Sequence, residues 1–89
     1  MSGLTTPAYM APEMIVEKAY TAKADMWALG VILYQFLTNQ LPFEAPSYYD
    51  LMKLIKESEP APLPSRLSPF IKEIIARLLD KNPETRPDA

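Results

Sequence analysis

The chain has 89 residues, nearly half of them hydrophobic, and a formal net charge of −2. That size allows one small domain with a core that is thin for its surface. The charge gives no electrostatic reason to expect a nucleic acid or an anionic membrane as partner. Cysteine and histidine are both absent, which removes disulfides, thiolate metal sites and most catalytic or zinc roles.

Ten prolines cut the chain into short pieces. The start, Met1 to Pro7, has neither a basic region nor an apolar stretch, so no signal peptide is expected there. Pro7 and Pro12 keep residues 3–12 extended or turned. Pro12 is placed to open a short helix over about 13–18, at the position where its missing N–H costs nothing.

Residues 24–38 carry the strongest helical signal, with Met26, Trp27, Leu29, Val31, Ile32, Leu33, Tyr34, Phe36 and Leu37 leaving almost no polar face. A helix apolar all round is expected to be buried all round. Its longest apolar run is nine residues, Met26 to Tyr34, against the roughly 20 needed to span a bilayer. Asn39 to Pro42 should end the helix, and 42–46 should form a loop.

Ser47 to Asp50 fits a capping box, opening a helix over 47–57 with Tyr48, Leu51, Met52, Leu54 and Ile55 on one side. Pro60, Pro62 and Pro64 predict a stiff extended connector. Ser68 is a cap with Pro69 at the first helical position. The helix predicted over 68–81 has an apolar stripe of Phe70, Ile71, Ile74, Ile75, Leu78 and Leu79. No strand pair is expected, and the class is all-α. Two amphipathic helices cannot enclose a third on every side, so the chain either associates with itself or is part of something larger.

Three segments in a fixed order sharpen this reading: Thr6-Pro7-Ala8-Tyr9-Met10-Ala11-Pro12-Glu13, Asp25-Met26-Trp27-Ala28-Leu29-Gly30, and Asn82-Pro83-Glu84-Thr85-Arg86-Pro87. In that order they resemble the C-terminal part of the large lobe of a eukaryotic protein kinase domain of the serine/threonine type. Residues 1–13 would be the end of the activation segment with its Ala-Pro-Glu element, 24–38 the central helix, and 47–57 and 68–81 later helices of that lobe. The Gly-rich loop, the phosphate-holding lysine, the His-Arg-Asp loop and Asp-Phe-Gly are not in this sequence.

The resemblance implies roles residue by residue. Thr6, Pro7, Tyr9 and Met10 would form the loop that receives the substrate, and Thr6 and Tyr9 match the serine/threonine form of it. Thr5 stands where the family usually has glycine. Glu13 and Arg86, 73 residues apart, would form a buried structural ion pair. Asp25, Trp27 and Gly30 would anchor the start of the central helix, with Ile32 and Phe36 supporting an apolar stack above it. Ser2 falls where many kinases carry an activating phosphosite. Gln35 stands where kinases that select an upstream arginine often place an acid, so that selection is not expected.

On this reading no catalytic or metal-binding residue lies in the chain. The parent would transfer the γ-phosphoryl group of ATP, with Mg²⁺, to serine or threonine of a protein substrate, and the chain alone would bind neither. It would be intracellular, in the cytoplasm, with no nucleic-acid or membrane partner and with self-association through exposed core. The alternative is a non-catalytic module that docks on another kinase or regulator, or a partial gene product.

Overall fold

A computed structural model describes residues 7–16 and 21–87. Among these residues a 3-10 turn at Pro7–Tyr9 is followed by four helices: α1 (Pro12–Val16), α2 (Ala22–Thr38), α3 (Tyr48–Glu57) and α4 (Pro69–Leu78). No strand occurs among the described residues. The expected Thr6 and Ser2 sites lie outside the described residues, as do positions 17–20, which would have carried the end of the first helix.

Local chemistry sets most helix ends. The extended Thr21 caps α2 by accepting a hydrogen bond from the Lys23 amide, so the helix begins at Ala22 rather than 24. At its other end Asn39 takes the left-handed conformation, φ 62°, and its amide donates to the Gln35 carbonyl at 2.7 Å. Asparagine tolerates that conformation better than most residues, and a left-handed residue here turns the chain out of the helix. Ser47 accepts from the Asp50 amide at 3.1 Å, and Ser68 from the Ile71 amide at 3.2 Å with Pro69 in the first turn. The last helix stops at Leu78, three residues before the predicted end, and a turn with side-chain bonds to Asp80 and Asn82 takes over.

The core gathers on one side of α2. Ala24, Trp27, Val31 and Tyr34 are buried there with Ala11, Phe43, Met52, Ile55, Ile75 and Leu79. Burying one large aliphatic chain such as Ile55 or Ile75 contributes about 1.5–3 kcal/mol, so this cluster dominates the stability of the fold. Helix α2 packs on α4, α1 packs on α3, and the 3-10 turn touches α2 and α3. Gly30 lets α4 approach closely: a Cβ there would lie 2.8 Å from the Leu78 Cβ and 3.0 Å from Leu79 Cδ2.

The proline connector carries no helix and is pinned at Ala61. The Ala61 amide donates to the Pro42 carbonyl at 3.0 Å, and the Tyr34 hydroxyl donates to the Ala61 carbonyl at 2.8 Å. Arg66 then reaches the Leu37 carbonyl at 2.9 Å, which places a cation on the negative end of α2.

Helix α2 is not buried all round, as two amphipathic helices could not enclose it: Leu29, Ile32 and Phe36, one stripe at spacings of three and four, are 42, 50 and 82% exposed. Tyr48 and Phe70, assigned to apolar faces of α3 and α4, are also exposed. Each sits at a helix start or on the side of its helix away from the cluster. The apolar stripe of a helix marks which side can be buried, whereas burial needs a neighbouring element, and the described residues supply none there.

Candidate functional site

The arrangement that unites distant parts of the chain is a charged knot built on the Trp27 ring. Helix α1 carries Glu13 in its first turn, and the closing segment 82–86 brings Arg86 back across the start of α2. Asn82 organises that return: its side-chain oxygen accepts from the Glu84 amide, and its carbonyl accepts from the Thr85 and Arg86 amides. Thr85 donates to the Asp80 carboxylate.

Arg86 is 1% and Glu13 7% exposed. The guanidinium meets the carboxylate with two parallel bonds, Nη1 to Oε2 at 2.8 Å and Nη2 to Oε1 at 2.9 Å. Two further donors are used as well, Nε on the Asp80 carbonyl at 2.8 Å and Nη1 on the Lys23 carbonyl at 2.7 Å. The Lys23 ammonium in turn donates to the Arg86 carbonyl. A planar guanidinium suits this fork, which a lysine cannot reproduce.

Burial works to raise the Glu13 carboxyl, but the Arg86 hydrogen bonds, a bond to its own backbone amide and the guanidinium charge outweigh it. They hold the group below its ordinary value. Asp80 is likewise held low, by the Thr85 hydroxyl first and the Asn82 amide second. Both acids are thereby kept ionised, which is the state their partners require.

Trp27 is fully buried beneath this pair, with the Arg86 guanidinium carbon 5.2 Å from its ring centroid. Phe43 stacks against it at 6.0 Å with an interplanar angle of 11°. Lys81 stands 4.7 Å from the Phe43 centroid and 5.5 Å from Trp27, and its ammonium donates to the Ile55 carbonyl at 2.5 Å. Burial pushes that ammonium below its ordinary value, and Glu59 opposes the shift. The indole N–H of Trp27 has no hydrogen-bond partner among the described residues.

The expected docking loop leads into this knot. Pro7 and Tyr9 form the 3-10 turn, and the Met10 amide closes it on the Pro7 carbonyl at 3.1 Å. Tyr9 and Met10 are half-buried against the core. The Tyr9 hydroxyl donates to the Gln35 side-chain oxygen at 2.6 Å, tying the loop to α2.

Of the residues singled out in the sequence, the structure joins Glu13 to Arg86 and sets Trp27 and Gly30 in the packed interior. Asp25 lies in the first turn of α2, exposed, with Thr21 and not Asp25 as the cap. Ile32 and Phe36 lie apart from all of these on the open stripe. Sequence reasoning missed Phe43, Lys81 and the Tyr9–Gln35 bond. Their partners lie 26 positions away for Lys81 with Ile55 and for Tyr9 with Gln35, and no local pattern links such pairs.

Taken as chemistry, the arrangement braces one loop against one helix. Among the described residues no group of three or more acids could hold a metal ion, and no helix is long and apolar enough to cross a membrane.

Comparison with known proteins agrees with the order of the three segments. The family model of the protein kinase domain matches residues 1–89. The chain is 43% identical over 83 residues to the G2-specific protein kinase nim-1 of Neurospora crassa, covering 93% of this chain and 10% of that protein. It is 48% identical over 82 residues to the CBL-interacting protein kinase 10 of Oryza sativa subsp. japonica, covering 91% of this chain and 18% of that one. The serine/threonine-protein kinase ULK3 of Homo sapiens is 40% identical over 83 residues, again covering 91% and 18%. The chain thus spans between a tenth and a fifth of the length of these relatives.

Proposed function

The chain belongs to the protein kinase domain family, and from that premise we propose that it is the C-terminal part of the large lobe of a serine/threonine protein kinase. The observation that carries this reading is the buried Glu13–Arg86 fork, which joins the loop end to the closing segment across 73 residues. In this reading residues 1–13 end the activation segment, 24–38 form the central helix, and 47–57 and 68–81 are later helices of the lobe.

The chain's own contribution is to hold the peptide-docking loop still. Two bonds to a desolvated carboxylate fix α1, and the Tyr9–Gln35 bond fixes the turn before it. A loop held in this way meets the incoming peptide without first paying the entropy of ordering. Pro7, Tyr9 and Met10 wall the site for the residue after the target, and Thr6 would brace the base that receives the hydroxyl proton. Asp25, Ile32 and Phe36 face the rest of the lobe in the parent, Asp25 toward the catalytic loop and the other two toward the apolar stack. Ser2 is a candidate phosphosite.

ATP with Mg²⁺ would supply the transferred phosphoryl group and neutralise its charge. This chain has no residues to hold that group, so they belong to other parts of the parent. The test is a positional-scanning peptide library on the intact kinase. Labelling of serine or threonine, a moderate preference for an apolar residue after the target and no dominant upstream arginine are expected. Labelling confined to tyrosine would overturn the assignment.

A second reading, a non-catalytic module that docks on another kinase or regulator, draws on the open stripe of α2. Saturable nucleotide binding by the chain alone, read by titration calorimetry, would contradict both readings.

A further inference from the structure

A groove of about 260 Å³ opens between α1, the last turn of α3 and the closing turn, lined by Pro12, Glu13, Val16, Lys56, Lys81 and Pro83. Its electrostatics are one-sided. Among the described residues that line it, Glu13 is the only acid, and both of its carboxylate oxygens are taken by Arg86. That leaves two lysines, Lys56 and Lys81, among the residues lining the groove.

The two lysines differ usefully. Lys81 is fixed, with one donor spent on the Ile55 carbonyl and its head against Phe43. An ammonium has three donors, so Lys81 is a positioned cation with bonds left to give. Lys56 is exposed and makes no ion pair among the described residues. Partial burial disfavours the Lys81 charge, and only Glu59 offsets that; an arriving anion would relieve the same penalty. Between the lysines, Pro12, Pro83 and the largely exposed Val16 form an apolar floor and rim.

We propose that this groove docks a short acidic segment of a partner protein, one carboxylate side chain lying between Lys56 and Lys81 and a neighbouring apolar side chain resting on Val16 and the prolines. Charge complementarity selects the occupant, because two lysines beside an apolar wall favour an acid flanked by a hydrophobe. Size points the same way, since the groove falls below the roughly 300 Å³ at which small-molecule and cofactor pockets begin. The inference does not depend on phosphoryl transfer and is measured without nucleotide.

The test is fluorescence anisotropy with the intact kinase and a labelled pentapeptide holding two glutamates around a leucine, beside a twin in which both glutamates are glutamine. The acidic peptide should bind, weaken as salt rises, and lose about tenfold in affinity on Lys56→Glu, whereas Lys56→Arg should retain binding. A melting curve for each variant establishes that the fold is intact, and Lys56→Gln replaces Lys56→Glu if it is not. Equal binding of the two peptides, an unchanged affinity in the charge-reversed variant, or complete displacement by stoichiometric inorganic phosphate would each overturn the proposal.

Discussion

Helix α2 has two sides that could hardly differ more. On one, Ala24, Trp27, Val31 and Tyr34 are at most 2% exposed, locked under Phe43, Arg86 and α4. On the other, Leu29, Ile32 and Phe36 stand open although they are equally apolar. Composition therefore does not decide burial within this helix; the supply of neighbours does. The closed side holds the parts that this stretch of chain can assemble by itself. The open side is a contact that the stretch cannot complete, which fits a segment built to pack inside a larger lobe.

The largest effect should come from breaking the closed side at its charge pair. In the intact kinase, Arg86→Ala is expected to destabilise the large lobe by about 3–5 kcal/mol, because it leaves the Glu13 carboxylate buried without its partner. The double change Glu13→Ala with Arg86→Ala should cost less than the two singles added together. Denaturant midpoints of the four proteins settle this, and strictly additive costs would mean that the pair is not coupled.

Next is the packing of α2 on α4. Gly30→Ala would ordinarily favour a helix, since glycine costs roughly 0.5–1 kcal/mol there relative to alanine. Here the new methyl meets the Leu78 Cβ, which is fixed to the backbone and cannot swing aside. A net loss of about 1–3 kcal/mol is expected from overpacking, and a rise in melting temperature would show that α4 has room to shift.

Acid should weaken the closed side by an amount that Glu13 governs. Its carboxyl is held below 4.5, the ordinary value for the unfolded chain. The stabilisation is therefore complete above that value and is lost as pH falls from it through the lower folded-state pKa, where the unfolded state takes up the proton first. Between those limits wild type should lose urea resistance more steeply than Glu13→Gln. Parallel curves would mean that the carboxylate contributes nothing to the pH dependence.

The smallest change in folding stability belongs to the open side. For the chain alone, Phe36→Ser combined with Ile32→Ser should alter stability within about 0.5 kcal/mol, as exposed substitutions usually do. It should nonetheless reduce self-association and dye binding, since exposed apolar patches drive both. Light scattering that showed the unaltered chain to be a monodisperse monomer would break the contrast between the two sides.

The sequence by itself determined the elements and their ends wherever the cause is local. Ser47 and Ser68 cap their helices because a hydroxyl needs only an amide three residues on, and Pro12 and Pro69 open helices because they lack only an amide that would go unused there. The order of the three segments also carried the family, and with it the expectation that Glu13 would meet Arg86. Burial was another matter. Tyr48 and Phe70 read as parts of buried apolar faces, since hydropathy and period are properties of one helix, whereas exposure depends on what packs against it. Only the tertiary structure decided that Lys81 would cap α3 through the Ile55 carbonyl, that Phe43 would stack on Trp27, and that Tyr9 would hold Gln35. Each of these joins groups far apart along the chain, and such contacts exist only once the helices have fixed the distances between them.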